Sequence, residues 1–173
     1  MINELIRTCD VDLADGDVDV TALRTGDVTA LARALTVLES GRRPALAEEL
    51  RTAAAQHHAP VLGITGTGGS GKSSLTDELV RRLRRDSQDK LRVAVVAVDP
   101  TRRRGGGALL GDRIRMNAID PDVVFFRSLA TREAGVVVPS ALDDVVAACR
   151  AAGYDLVIVE TPGIGQGDAA IAS

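Results

Sequence analysis

Residues 66–73 read Gly-Thr-Gly-Gly-Ser-Gly-Lys-Ser, a full match to the spacing GxxxxGK[ST]. Each residue type in it has a task in gripping phosphate. The glycines let the backbone wrap an anion with its N–H groups pointing inward, at a helix N-terminus whose dipole already favours negative charge. Lys72 adds a flexible positive charge suited to β- and γ-phosphates, and the Ser73 hydroxyl is suited to a Mg²⁺ ion that bridges them. A glycine-rich turn that merely packs a helix close to a strand would account for the glycines, but not for the lysine and the hydroxyl beside them.

These residues need a strand to deliver them and a helix to receive them, and the surrounding sequence supplies both. From Pro60 onward, short apolar runs alternate with amphipathic stretches, the pattern of βαβ units in a parallel sheet. The runs are Val61–Thr65, Val93–Asp99, Val123–Arg127 and Leu156–Glu160. Between the first two, Leu75, Leu79 and Leu83 recur every fourth residue, which predicts one apolar stripe on a helix. Between the last two, Leu142, Val145, Val146 and Cys149 form the inward face of another helix, which makes Cys149 a core residue and not a nucleophile. In an open parallel sheet, ligands bind beyond the carboxyl ends of the strands. The runs end at Asp99-Pro100, Arg127-Ser128 and Glu160-Thr161, so these polar residues are expected at the edge that carries the phosphate loop. Asp99 and Glu160 there would position Mg²⁺ or water; the alternative is carboxylates capping solvated turns.

Asp112 and Arg115 follow Gly105-Gly106-Gly107 and sit three residues apart on an expected helix, where they could face one ligand or pair with each other. Arg102–Arg104 form a basic loop to which no catalytic role is assigned. Gly163-Ile164-Gly165-Gln166-Gly167-Asp168 has the flexibility of a switch that senses a γ-phosphate. Before Pro60, Asp27 is the expected N-cap of a helix carrying Val28, Leu31, Leu35 and Leu38 and stopping at Gly41, and a second helix runs from Pro44 to Ala55. This hairpin reads as a linker or arm. His57 and His58 lack partners at metal-binding spacing.

Composition narrows the classes. In 173 residues, 45% are hydrophobic and 26% charged, which suits one packed domain with an appended segment and excludes a disordered chain. A net charge of −3 and an aromatic content of 2% argue against nucleic acid and anionic membranes as partners. Cys9 and Cys149 lie far apart, without zinc or disulfide-framework spacing, which points to a reducing cytoplasm. No run approaches the ~18 apolar residues that a membrane span needs.

Beyond the phosphate loop, Val98-Asp99-Pro100, Leu110-Gly111-Asp112-Arg113-Ile114-Arg115-Met116, Arg127-Ser128-Leu129-Ala130-Thr131-Arg132, and Val159-Glu160-Thr161 through Gly165-Gln166 together resemble the G-protein chaperones of cobalamin-dependent acyl-CoA mutases. The resemblance is closest to the GTPase domain of the fused isobutyryl-CoA and methylmalonyl-CoA mutases. It implies an α/β P-loop NTPase fold: a mostly parallel sheet flanked by helices, C-terminally incomplete, with residues 1–58 a helical linker segment and 59–173 the GTPase domain. The implied activity is Mg²⁺-dependent GTP hydrolysis coupled to loading and protecting adenosylcobalamin on the mutase. Gly69, Ser70, Gly71, Lys72, Ser73 and Ser74 would then hold phosphates, and Arg115 would contact the nucleotide. Ser73, Asp99, Asp112, Glu160, Thr161 and the Val98 carbonyl would surround Mg²⁺, with Lys72, Asp99 and Glu160 catalytic. The implied partner is an acyl-CoA mutase, fused or separate, in a homodimeric parent.

Two departures qualify this. No [NT]KxD sequence is present to read guanine, so GTP over ATP follows from the resemblance alone. There is also no DxHxxG segment for cobalamin and no barrel for an acyl-CoA, and the chain ends soon after Glu160, as expected of a piece of a longer polypeptide. The other readings are a P-loop phosphotransferase acting on a small metabolite and a nucleotide-binding fragment that does not hydrolyse.

Overall fold

The computed structural model describes residues 4, 12–100, 116–131 and 138–163, with the backbone alone at 13, 99, 100 and 131. Helices come first, and side chains decide where they begin. The Asp19 carboxylate accepts from the Ala22 N–H at 2.9 Å and starts α1 (Val20–Arg24). Asp27 does the same for Ala30 at 2.6 Å and starts α2 (Val28–Ser40), which stops at Gly41, a left-handed cap at φ +69°. α3 (Pro44–Ala54) opens on proline, whose missing N–H is no loss in a first turn.

Strands and helices then alternate: β1 (Val61–Ile64), α4 (Lys72–Ser87), β2 (Val93–Pro100), β3 (Val124–Thr131), α5 (Leu142–Ala151) and β4 (Leu156–Glu160). The strands form one sheet in the order β1-β4-β2-β3, with every pairing parallel. The last strand therefore enters between the first two. Ile64 at the end of β1 pairs with Glu160 at the end of β4, and Glu160 pairs on its other side with Ala97 of β2.

Both faces of the sheet are covered, which is why its strands read as nearly unbroken aliphatic runs. Ala94, Val96, Val98, Phe125, Leu129, Val157 and Val159 point to one side, into a core with Leu23, Leu31, Leu35, Leu50, Val145 and Cys149. The helices expected as an arm thus lie on the sheet and share its core. Val93, Val95, Ala97, Phe126 and Ile158 alternate to the other side, against Val80 of α4 and Met116 and Ala118. Arg92 fastens the first layer: its guanidinium donates to Ala152 O at 2.9 Å and stacks 4.4 Å from the Tyr154 ring centre. Arg84 fastens the second, donating to Ala118 O at 2.9 Å and to Asp120 at 2.7 Å.

Two expectations are corrected. β3 runs on to Thr131, held in register with β2 along its whole length, so Arg127 sits in mid-strand and not at the ligand edge. It turns toward α2 and donates to Glu39 at 2.8 and 3.1 Å and to Thr36 at 3.2 Å. The stripe at Leu75, Leu79 and Leu83 is also corrected at its first residue, since Leu79 packs partly buried on the core beside Val80 but Leu75 does not. α4 buries Thr76 and Val80, with Thr76 in polar contact with β4 and Val80 in the core, and this face leaves Leu75 59% exposed.

Candidate functional site

The phosphate loop leaves β1 and turns into α4 through glycines in backbone states that other residues resist. Gly69 and Gly71 have φ of +76° and +87°, and Gly71 is the residue on which α4 starts. The turn closes with Ser70 N–H donating to Thr67 O at 3.2 Å. Lys72 folds back across it, its ammonium donating to Gly66 O at 2.9 Å and Thr67 O at 3.0 Å. A positive charge thus stands over a loop that opens on a helix N-terminus, which is the arrangement that captures phosphate. Ser74 lies exposed in the first turn of α4.

Strand order brings the carboxylate. Glu160, 8% exposed, accepts from the Ser73 hydroxyl at 2.6 Å through Oε1 and from the Thr76 hydroxyl at 3.1 Å through Oε2. These are the hard oxygen donors that Mg²⁺ selects, within reach of one ion and beside the phosphate loop, so the residues present fit the cation that the sequence implies. Among the described residues, no group of three or more His, Cys, Asp or Glu side chains gathers elsewhere to compete for a metal.

The other candidates fall as follows. Asp99 lies two residues beyond Ala97, the β2 partner of Glu160, so its backbone is at the ligand edge. Val98 pairs with Leu129, and its side chain is in the core. Thr161 is buried, with its N–H donating to Ile64 O at 3.0 Å and its hydroxyl directed to the same oxygen at 3.5 Å, so it faces β1. Asp112, Arg115, Arg102–Arg104 and residues 164–168 lie outside the described residues. His57 contacts the Tyr154 carbonyl at 3.1 Å.

A groove of about 630 Å³ continues from the loop along α4, past Lys72, Ser73 and Ser74 to Asp77, Arg81 and Asn117. Glu78 on its rim is held below the usual carboxylate range by hydrogen bonds from Arg82 and Arg81. One site residue escaped sequence reasoning, and a second was read there in another role. Thr76 was legible, since it lies three residues after Ser73 and hence on the same helix face. Gly163 was singled out only as part of a switch. Its backbone lies so close to the phosphate loop that a Cβ there would overlap Gly68 Cα and stand 2.5 Å from Gly68 N.

With this geometry established, known proteins can be set beside it. A family described as "Methylmalonyl Co-A mutase-associated GTPase MeaB" matches residues 31–173. The fused isobutyryl-CoA mutase of Nocardia farcinica is 69% identical over 99% of this chain, and that of Cupriavidus metallidurans is 57% identical over 99%. The chain spans 16% of the length of each. The GTPase ArgK of Escherichia coli is 37% identical over 88% of the chain, which covers 47% of it. Among solved structures, a LAO/AO transport system kinase superposes with a TM-score of 0.56 at 32% identity, over 84% of this chain and 42% of that one. A phosphate loop with a carboxylate set against its serine, on a parallel sheet, is thus matched by sequence along most of its length, and the chain belongs to the MeaB family of methylmalonyl-CoA mutase-associated GTPases.

Proposed function

We propose that this chain binds GTP with Mg²⁺ in the phosphate loop and hydrolyses it, as the chaperone segment of a cobalamin-dependent acyl-CoA mutase. The observation that carries the reading is the 2.6 Å bond between Ser73 and Glu160, which joins the loop to the carboxylate of a strand 87 residues further along the chain. The backbone N–H groups of residues 69–74 and the Lys72 ammonium bind the phosphates and offset their charge. Ser73 and Glu160 would hold the cation, with Asp99, Asp112 and the Val98 carbonyl completing its surroundings and Arg115 contacting the nucleotide, while Thr161, turned to Ile64 O of β1, would keep the strand end that carries Glu160 in place. Mg²⁺ held there would supply positive charge to the phosphate oxygens. Glu160, held through Oε2 by the Thr76 hydroxyl, would fix the cation and through it the water that attacks.

Residues 59–173 form the nucleotide-handling portion in this reading, and 1–58 connect it to the rest of a dimeric, cytoplasmic mutase. Isobutyryl-CoA mutase is the favoured partner, because the fused isobutyryl-CoA mutases align with almost the whole chain. Adenosylcobalamin belongs to that partner.

Phosphate release from GTP and Mg²⁺ without any acceptor tests the proposal and separates it from a phosphotransferase. Binding without turnover would leave a nucleotide-binding module. Lys72→Ala should weaken nucleotide affinity by about a hundredfold or more, since a charged contact to phosphate is lost. Unchanged affinity in calorimetry would remove Lys72 from the site.

A further inference from the structure

The inward face of α4 opens on a polar residue. Thr76 is completely enclosed, yet its hydroxyl lies 3.0 Å from Lys72 O and 3.1 Å from Glu160 Oε2. A hydroxyl has one proton to give. A threonine inside a helix ordinarily gives it to the carbonyl four residues back. Here that carbonyl is already the acceptor for the Thr76 N–H in the helical ladder, whereas Oε2 belongs to a carboxylate with little access to water. An unpartnered buried carboxylate oxygen costs more than a second lone pair on a bonded carbonyl. Thr76 therefore donates its hydroxyl proton to Glu160 Oε2, which accepts.

We propose that Thr76 is a positioning residue for Glu160: its hydroxyl holds Oε2 on the buried side and so keeps Oε1 turned to Ser73. The terminal torsion of a glutamate is soft, so a single bond at Oε1 would leave the carboxylate free to swing. Ser73 and Thr76, three residues apart on one helix face, grip both oxygens. The Thr76 bond does not need to break when Ser73 exchanges its partner for a cation, so the carboxylate is oriented before the cation arrives. The inference rests on the nucleotide and Mg²⁺ reading above for its consequence, but not for the clasp itself.

The test compares the full chain with Thr76→Val, which keeps the shape and deletes the hydroxyl, and Thr76→Ser, which restores it; Thr76→Ala stands in should the valine variant not fold. In calorimetry with a slowly hydrolysed GTP analogue, Thr76→Val should match the parent in the presence of a chelator. It should lose about tenfold of the affinity gained on adding Mg²⁺, and kcat should fall about tenfold with little change in KM, the scale of one hydrogen bond to a charged group. Thr76→Ser should recover most of both. Retention of the Mg²⁺-dependent gain in Thr76→Val overturns the proposal, and so does a serine variant as impaired as the valine one. A second readout needs no nucleotide: the infrared carboxylate band identified by its loss in Glu160→Gln should shift in Thr76→Val and return in Thr76→Ser. An unmoved band overturns the positioning role. A moved band in protein that binds no nucleotide upholds the clasp and defeats the nucleotide reading.

Discussion

At the scale of single residues, the site depends on which groups are charged and which are shielded. Glu160 receives two hydroxyl donors and contacts the loop through Ser73, so its removal separates grip from chemistry. Glu160→Gln keeps the shape and loses the charge. Hydrolysis should fall by about a hundredfold or more, while nucleotide affinity should be unchanged in a chelator and lose about tenfold or slightly more of the gain from Mg²⁺, a split that single-turnover kinetics and calorimetry would read. Equal loss of both would assign Glu160 to binding alone. Cys149 is the opposite case, a reactive residue type silenced by its surroundings. Complete burial pushes its thiol up to about 12. In the unfolded chain a thiol ionises at about 8.5. Between those values the folded protein keeps a proton that the unfolded chain gives up, so this group leaves stability untouched below the lower value and erodes it as pH rises through the window. At pH 8, mass spectrometry of the Cys149 peptide should show no modification by a thiol reagent until denaturant is added.

At the scale of elements, the site is the meeting of two strand ends with the first turn of one helix. α4 is set by its glycine start and by Thr76, and β4 by pairing with β1 and β2. The segment leaving β4 then runs against the phosphate loop at Gly163, where the neighbouring atoms are backbone and cannot rotate away. Gly163→Ala should therefore push two backbone segments apart at a cost of about 1–3 kcal/mol. For a chain of this size that lowers the melting temperature by roughly 2–12 °C. Calorimetric scans of the nucleotide-free protein would show it, and an unchanged melting temperature would mean that the two segments are not in contact.

At the scale of the whole molecule, the helices before Pro60 and the sheet after it depend on one another. Leu31, Leu35 and Leu50 are fully buried in the core formed with Ala94, Val96 and Val157. Arg51 reaches from α3 to Asp144 of α5 at 2.6 Å, and Arg127 reaches from β3 to Glu39 of α2. Leu35→Ala should cost about 2–5 kcal/mol through lost burial and a cavity, and should unfold sheet and helices in one transition. Two separate transitions in denaturant would show that the helical layer is an independent unit.

What the sequence determined by itself was whatever depends on neighbours along the chain. The caps Asp27 and Gly41, the aliphatic runs of the strands, the glycine-lysine-serine turn and the inward face of α5 are local, because backbone preference and periodic burial act over a few residues. The outline of the site followed from an edge rule that needs only strand ends, which is how Glu160 could be named with Ser73. Tertiary structure alone decided the rest. Strand order places β4 beside β1, the length of β3 withdraws Arg127 from the ligand edge, and α4 turns Thr76 and Val80 inward and Leu75 outward. None of these has a local signature, since each is settled by which distant surfaces pair and by how one buried carboxylate finds its hydrogen-bond donors.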